Sequence, residues 1–190
     1  MTFLLLAVGA FVSCSPAYAD AVFPMIILVW PASWLLLLLI IPLEAIVAVR
    51  ILKIDYKRSL KLAGIANLAS VVAGVPVTWF GLGIVEHLVD GGRAWGIATP
   101  MGKVFAATVQ SPWLYPYNGA WAWLVPAAAI SLCIPFFFMS VWVEYKAAEK
   151  YSPTINKRLL LNWSWLANTW SYGLIVIGLI ITAVIGAMHS

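Results

Sequence analysis

Apolar positions along this chain come in unbroken runs, with neither the alternation of a half-buried strand nor the one-sided stripe of a surface helix. Four runs reach the roughly 20 residues needed to cross a hydrocarbon core, namely 22–49, 62–85, 120–143 and 159–188. Each is long enough to cross with tilt. A shorter run near the start, FLLLAVGAFVSC, is followed by Pro16 and by Ala17-Tyr18-Ala19 before Asp20. A brief apolar stretch with a small-x-small ending reads as a signal peptide, here 1–19, cut after Ala19. The expected fold is therefore an all-α integral membrane protein, with 20–190 as a single domain of four transmembrane helices.

Composition places the chain in the lipid bilayer, since 64% of its 190 residues are hydrophobic and 9% charged, against about a quarter charged in soluble domains. The net charge of +4 would hint at nucleic acid in a soluble protein, but here the cations orient the chain. Arg50, Lys53, Lys57, Arg58 and Lys61 fall in the first connection and Lys146, Lys150, Lys157 and Arg158 in the third, leaving Arg93 and Lys103 in the second. By the positive-inside rule both basic connections are cytoplasmic and both termini outside. A cleaved signal requires the same sidedness, and the expected location is the bacterial cytoplasmic (inner) membrane.

The outer connection, 86–118, reads as a long loop opening on the turn-rich VDGGRAWG. Trp113, Tyr115, Tyr117, Trp121 and Trp123 gather toward its end. Such rings suit the headgroup region, where an apolar body and a polar tip are both satisfied. They are expected to form an interfacial aromatic belt, with a lid or partner-docking segment as the sharper reading.

Self-similarity appears when the second pair of spans is laid over the first. Glu44 with Arg50 matches Glu144 with Lys150, and Lys57-Arg58 matches Lys157-Arg158, at an offset of 100. After one residue of slip, ANLAS at 66–70 matches ANTWS at 167–171. Two repeated helical hairpins of the same orientation make a parallel repeat about an axis along the membrane normal. On the second span Ala63, Asn67, Ser70 and Gly74 fall on one helical stripe, and Ser164, Asn168 and Ser171 do so on the fourth. Small and polar stripes let helices approach and hydrogen bond across, so each stripe is expected to face a helix.

Depth connects the pieces. Asn67 lies six residues after Lys61 and Glu44 six before Arg50, about 9 Å each at 1.5 Å per residue. Glu44 is thus expected against Asn67 or Ser70 inside the bundle, with Glu144, two residues from Lys146, out at the headgroups. The alternative for Glu44 is a carboxylate that snorkels or pairs with Arg50, Lys53 or Lys61.

No catalytic set is legible. Glu86, His87 and Asp90 are too consecutive for a defined metal site, and two histidines, neither mid-span, exclude bis-histidine haem. Cys133 alone in a span reads as a small hydrophobe, and no Cys-x-x-Cys is present. Neither metal nor cofactor is expected, and the chain is not expected to be an enzyme. The expected function is an accessory or assembly subunit of a larger membrane complex, in contact with partner subunits. The alternative is a small homo-oligomeric transporter or channel for protons, a cation or a small solute, using the intramembrane cluster of Glu44, Asn67, Ser70, Glu144, Asn168 and Ser171.

Overall fold

The computed structural model describes residues 26–90, 99–109 and 123–188, with all side chains of these except 26–34, 79, 86, 89 and 90. The signal peptide expected at 1–19, and Trp113, Tyr115, Tyr117 and Trp121 of the aromatic belt, lie outside the described residues. Among the described residues five helices follow one another: α1 (Ile26–Leu52), α2 (Tyr56–Asp90), α3 (Pro100–Val109), α4 (Leu124–Tyr151) and α5 (Lys157–Met188). All but α3 are long and apolar enough to cross a membrane, as in a multi-pass membrane protein.

At the basic ends the helices outrun the apolar runs, because hydropathy reports the part immersed in lipid while backbone hydrogen bonding continues until the chain meets a cap. The caps are visible. Asp55 Oδ2 accepts from the backbone N–H of Arg58 at 2.9 Å, opening α2. Asn156 Oδ1 accepts from that of Arg158 at 2.8 Å, opening α5. Each satisfies a first-turn N–H that has no partner within its helix. The α1 end is set by Lys53, whose φ of 56° is the left-handed turn that closes many helices. Because Glu44 and Glu144 stand 100 apart and the capping residues 55 and 156 stand 101 apart, the one-residue slip has already occurred at the caps. Lys57-Arg58 and Lys157-Arg158 therefore hold different helical positions, against the offset-100 match read from the sequence.

The long helices touch in a ring, α1 against α2, α2 against α4, α4 against α5 and α5 back against α1. Close approach is possible because the contact surfaces are made of alanine: Ala45, Ala48, Ala63, Ala66, Ala148 and Ala167 are all fully buried, around Leu62, Leu160 and Trp163. This core lies at the basic end of the bundle. From 172 to 188 no described residue of α5 is buried.

The outer connection departs from the expected loop, since α2 runs on to Asp90 and α3 occupies Pro100–Val109. Thr99 Oγ1 caps α3 by accepting from the Gly102 N–H at 3.0 Å, and Pro100 fits the first helical position, where no N–H is needed. The buried face of α3, Gly102, Ala106, Ala107 and Val109, is small, and Ala107 packs with Leu124 and Ala128 of α4. Trp123, assigned to the belt, is half-buried in this same α3–α4 contact.

A left-handed backbone costs a residue bearing a Cβ roughly 1–2 kcal/mol, and glycine returns part of that through its greater freedom when unfolded. Lys53→Gly is therefore expected to stabilise the protein by about 0.5–1 kcal/mol, read as a higher thermal unfolding midpoint in detergent. A lower midpoint would show that the Lys53 side chain contributes more than its backbone strain costs.

Candidate functional site

Glu44 on α1 is 1% exposed, and its Oε2 accepts a 2.5 Å hydrogen bond from Asn67 Nδ2 on α2. The same amide nitrogen donates to the Ala63 carbonyl at 3.0 Å, so two N–H groups have two acceptors. An equivalent arrangement joins α4 to α5. Glu144 is 2% exposed and accepts at Oε2 from Asn168 Nδ2 at 2.6 Å, while that nitrogen donates to the Ser164 carbonyl at 3.0 Å.

Glu144 is buried between helices rather than turned outward with Lys146, its near neighbour in the chain. Two residues along a helix turn about 200°, so Lys146 leaves the bundle on the side opposite to Glu144. Lys146 Nζ instead meets Glu149 Oε2 at 3.1 Å, and Lys157 Nζ reaches Glu149 Oε1 at 2.6 Å. Among the described residues the ion pairs centre on Glu149, and neither Glu44 nor Glu144 has one. Glu44 therefore neither snorkels nor pairs with Arg50, Lys53 or Lys61, all of which have exposed or outward positions.

Contacts across the ring bring the two halves together. Trp163 of α5 is fully buried and its Nε1–H donates to the Glu44 backbone carbonyl at 3.1 Å. Within the second half, Ser164 Oγ donates to the Val141 carbonyl of α4 at 2.8 Å. Ser171 of α5 lies beside the Glu44 carboxyl, with its hydroxyl directed to the carbonyls of Ala167 and Asn168 at 3.2 and 3.3 Å. The charge of Glu44 reaches Glu144. One oxygen of the pair, Glu44 Oε1, is buried without a hydrogen-bond partner.

Ser70, expected at Glu44, binds elsewhere. It lies one turn beyond Asn67, farther from the basic end, and its Oγ donates to Ser140 Oγ of α4 at 2.8 Å. Ser140 Oγ also hydrogen bonds the Tyr172 hydroxyl of α5 at 2.9 Å, giving a hydroxyl chain across three helices. Beyond it, a methyl group at Gly74 would come within 3.2 Å of Met139 Cε, which marks how closely α2 approaches α4. All the stripe residues named from the sequence, Ala63, Asn67, Ser70, Gly74, Ser164, Asn168 and Ser171, are buried.

Three residues of the network were not singled out from the sequence: Trp163, Ser140 and Tyr172. Trp163 and Ser164 share the α5 stripe with Ala167 and Asn168 by helical spacing, and that spacing was the available signal. Tyr172 carries a hydroxyl that needs a partner when buried in a span. Ser140 offered no comparable cue. No protein family, characterised protein or solved structure matches the chain.

Removing the amide should cost more than removing the phenol. Tyr172→Phe leaves the Ser70–Ser140 bond intact and is expected to cost about 0.6–1.7 kcal/mol, the range for interhelical hydrogen bonds in membranes. Asn67→Leu deprives a buried carboxyl of its donor and is expected to cost roughly 2–3 kcal/mol. Unfolding of both variants in detergent checks the order, and equal losses would show that the Glu44–Asn67 bond holds no special place.

Proposed function

We propose that this chain is a non-catalytic membrane protein serving as an accessory or assembly subunit of a larger complex in the bacterial inner membrane. The observation that carries this reading is the division of its surfaces: Glu44, Asn67, Glu144 and Asn168 are turned inward and bonded pairwise, while the outside is largely apolar, with the exposed hydroxyls of Ser131, Thr169 and Thr182 bonded to carbonyls of their own helices, and on α4–α5 it is aromatic. Phe138 and Trp142 are 56% and 62% exposed one turn apart on α4, and Trp165 of α5 is 42% exposed. The Phe138 and Trp165 rings stack edge to face at 6.0 Å, and Phe137 meets Trp165 at 5.3 Å. Large rings with few rotatable bonds are suited to protein contacts. In this reading the inner bonds hold the bundle rigid so that the aromatic face is presented in one shape.

Two finer features belong to the same proposal. The halves α1–α2 and α4–α5 are taken as a parallel repeat, supported by the paired Glu–Asn bonds of 2.5 and 2.6 Å and the paired amide–carbonyl bonds of 3.0 Å. Both basic connections are taken as cytoplasmic with both termini outside, supported by the distribution of Lys and Arg.

A second reading, a small homo-oligomeric transporter or channel, is favoured by Glu44 Oε1, a buried acceptor left free where the halves meet. Purification in mild detergent separates the two. Stoichiometric foreign subunits, lost in the double variant Trp142→Ala/Trp165→Ala, are expected for the accessory role. A homo-oligomer free of other subunits, with solute flux abolished by Glu44→Gln, would replace it. For sidedness, cysteines placed singly at Lys57 and Lys103 are expected to be labelled by an impermeant reagent in whole cells at 103 and not at 57. Labelling at 57 would reverse the orientation.

A further inference from the structure

We propose that the connection between α1 and α2 is a binding site for anionic lipid headgroups, held by Arg50, Lys53, Lys57, Arg58 and Lys61. The inference rests on the four long helices crossing a bilayer, and it holds under either functional reading. All five cations are exposed. The connection itself is three residues long, 53–55, so the facing ends of α1 and α2 lie within about 14 Å of one another. Arg50 occupies the last turn of α1, and Lys57 and Arg58 the first turn of α2, which gathers the charges on one corner of the bundle.

The described residues leave this charge unanswered. The one carboxylate among residues 50–61 is Asp55, and its Oδ2 is turned to the Arg58 backbone N–H as a cap. None of the five cations has an ion pair among the described residues. The second basic connection differs, because Glu149 meets both Lys146 and Lys157, at 3.1 and 2.6 Å, which leaves Lys150 and Arg158. Placement makes the first cluster more costly still. Lys57 and Lys61 stand one turn apart on α2, where like charges destabilise a helix, and Lys57 and Arg58 lie at the positive end of the helix dipole. Lys53 carries its charge on a left-handed backbone, with φ of 56°. An anion bound from outside turns the first two costs into attractions and gives the strained Lys53 a charge to meet.

A lipid suits the cluster better than a partner dissolved in water. Apolar side chains are interleaved with the cations: Tyr56 is 49% and Leu60 37% exposed, beside Lys57, Arg58 and Lys61. Such a surface belongs where acyl chains meet headgroups, with its apolar parts among the former and its charged tips among the phosphates. Depth agrees. The rise from Tyr56 to Lys61 is about 7.5 Å at 1.5 Å per residue, close to the roughly 5–7 Å of a headgroup layer. Clusters of about four to eight Lys and Arg beside a spanning helix attract anionic lipid, and an arginine holds a phosphate through two parallel N–H groups.

Lipid titration of the purified full chain in uncharged detergent micelles, read by the thermal unfolding midpoint, tests the site. Phosphatidylglycerol is expected to raise the midpoint by about 5 °C near saturation, and salt at about 0.5 M to remove most of that rise. Phosphatidylcholine and soluble glycerophosphate should not reproduce it. The variant Lys57→Gln/Arg58→Gln/Lys61→Gln is expected to need about 100-fold more phosphatidylglycerol for the same rise, from roughly fivefold per cation. Lys150→Gln/Arg158→Gln should respond as the wild type does. An equal rise with phosphatidylcholine would overturn the proposal, and so would an equally large loss in the Lys150/Arg158 variant. A rise with glycerophosphate or a short oligonucleotide that matches the lipid's would assign the cluster to a water-borne anion and refute it as well. The comparison of lipids on the unmodified chain decides the matter even where the triple variant fails to fold.

Discussion

A carboxyl group placed among lipid-crossing helices must be met by donors or by positive charge, and that requirement organises this bundle. Glu44 and Glu144 are met by asparagines on the neighbouring helix in the chain. To bring amide and carboxyl into bonding distance the helices must be in register to within a fraction of a turn, and their backbones must come close. The fully buried alanines around the clasps supply the closeness. The caps at Asp55 and Asn156, with the left-handed Lys53, fix where each following helix starts. Local signals at the basic connections and the polar bond within the membrane thus specify the same alignment, a consistency between levels that favours a single native arrangement.

The clasps act within α1–α2 and within α4–α5, whereas other groups join one half to the other. Trp163 reaches the Glu44 carbonyl, and the Ser70–Ser140–Tyr172 chain links α2, α4 and α5. In a setting where lipid is as apolar as leucine, such directional bonds together with alanine packing set which helices adjoin. Leu62 and Trp163, 101 residues apart and both fully buried, fill their places with very different volumes. The larger, Trp163, is the one that bonds across to α1.

The four long apolar helices were legible in the sequence because a run of about 20 apolar residues has few other meanings. The depth argument for Glu44 and Asn67 was legible as well, since rise per residue alone sets both at one level. Glu144 was misplaced because nearness to Lys146 was read along the chain, while a helix separates neighbours two residues apart onto opposite sides. Ser70 was assigned to the wrong partner for a related reason: a stripe tells which face is inward, but which helix waits there depends on tertiary packing. The helix α3 was missed although Thr99-Pro100 and the Gly102, Ala106, Val109 spacing were present, because a ten-residue element among turn residues and aromatics gives a weak periodic signal. That the charge of Glu44 reaches Glu144 could not be read from spacing at all, as it depends on α1 and α4 lying across the same ring.

The uneven distribution of burial along α5 gives the bundle a mechanical character. Its fully buried positions end at Ser171; Tyr172 still bonds Ser140, and no described residue from 172 to 188 is fully buried. The helix is thus gripped near one end and extends some 20 residues past Asn168, about 30 Å at 1.5 Å per residue. Any tilt about the Glu144–Asn168 clasp would be multiplied along that length. A rotation of about 5° there, smaller than the scatter of ordinary helix-packing angles, carries the far end through roughly 3 Å. A shift of a fraction of an ångström among the buried carboxyls would in this way be enlarged at the end of α5 remote from the basic connections.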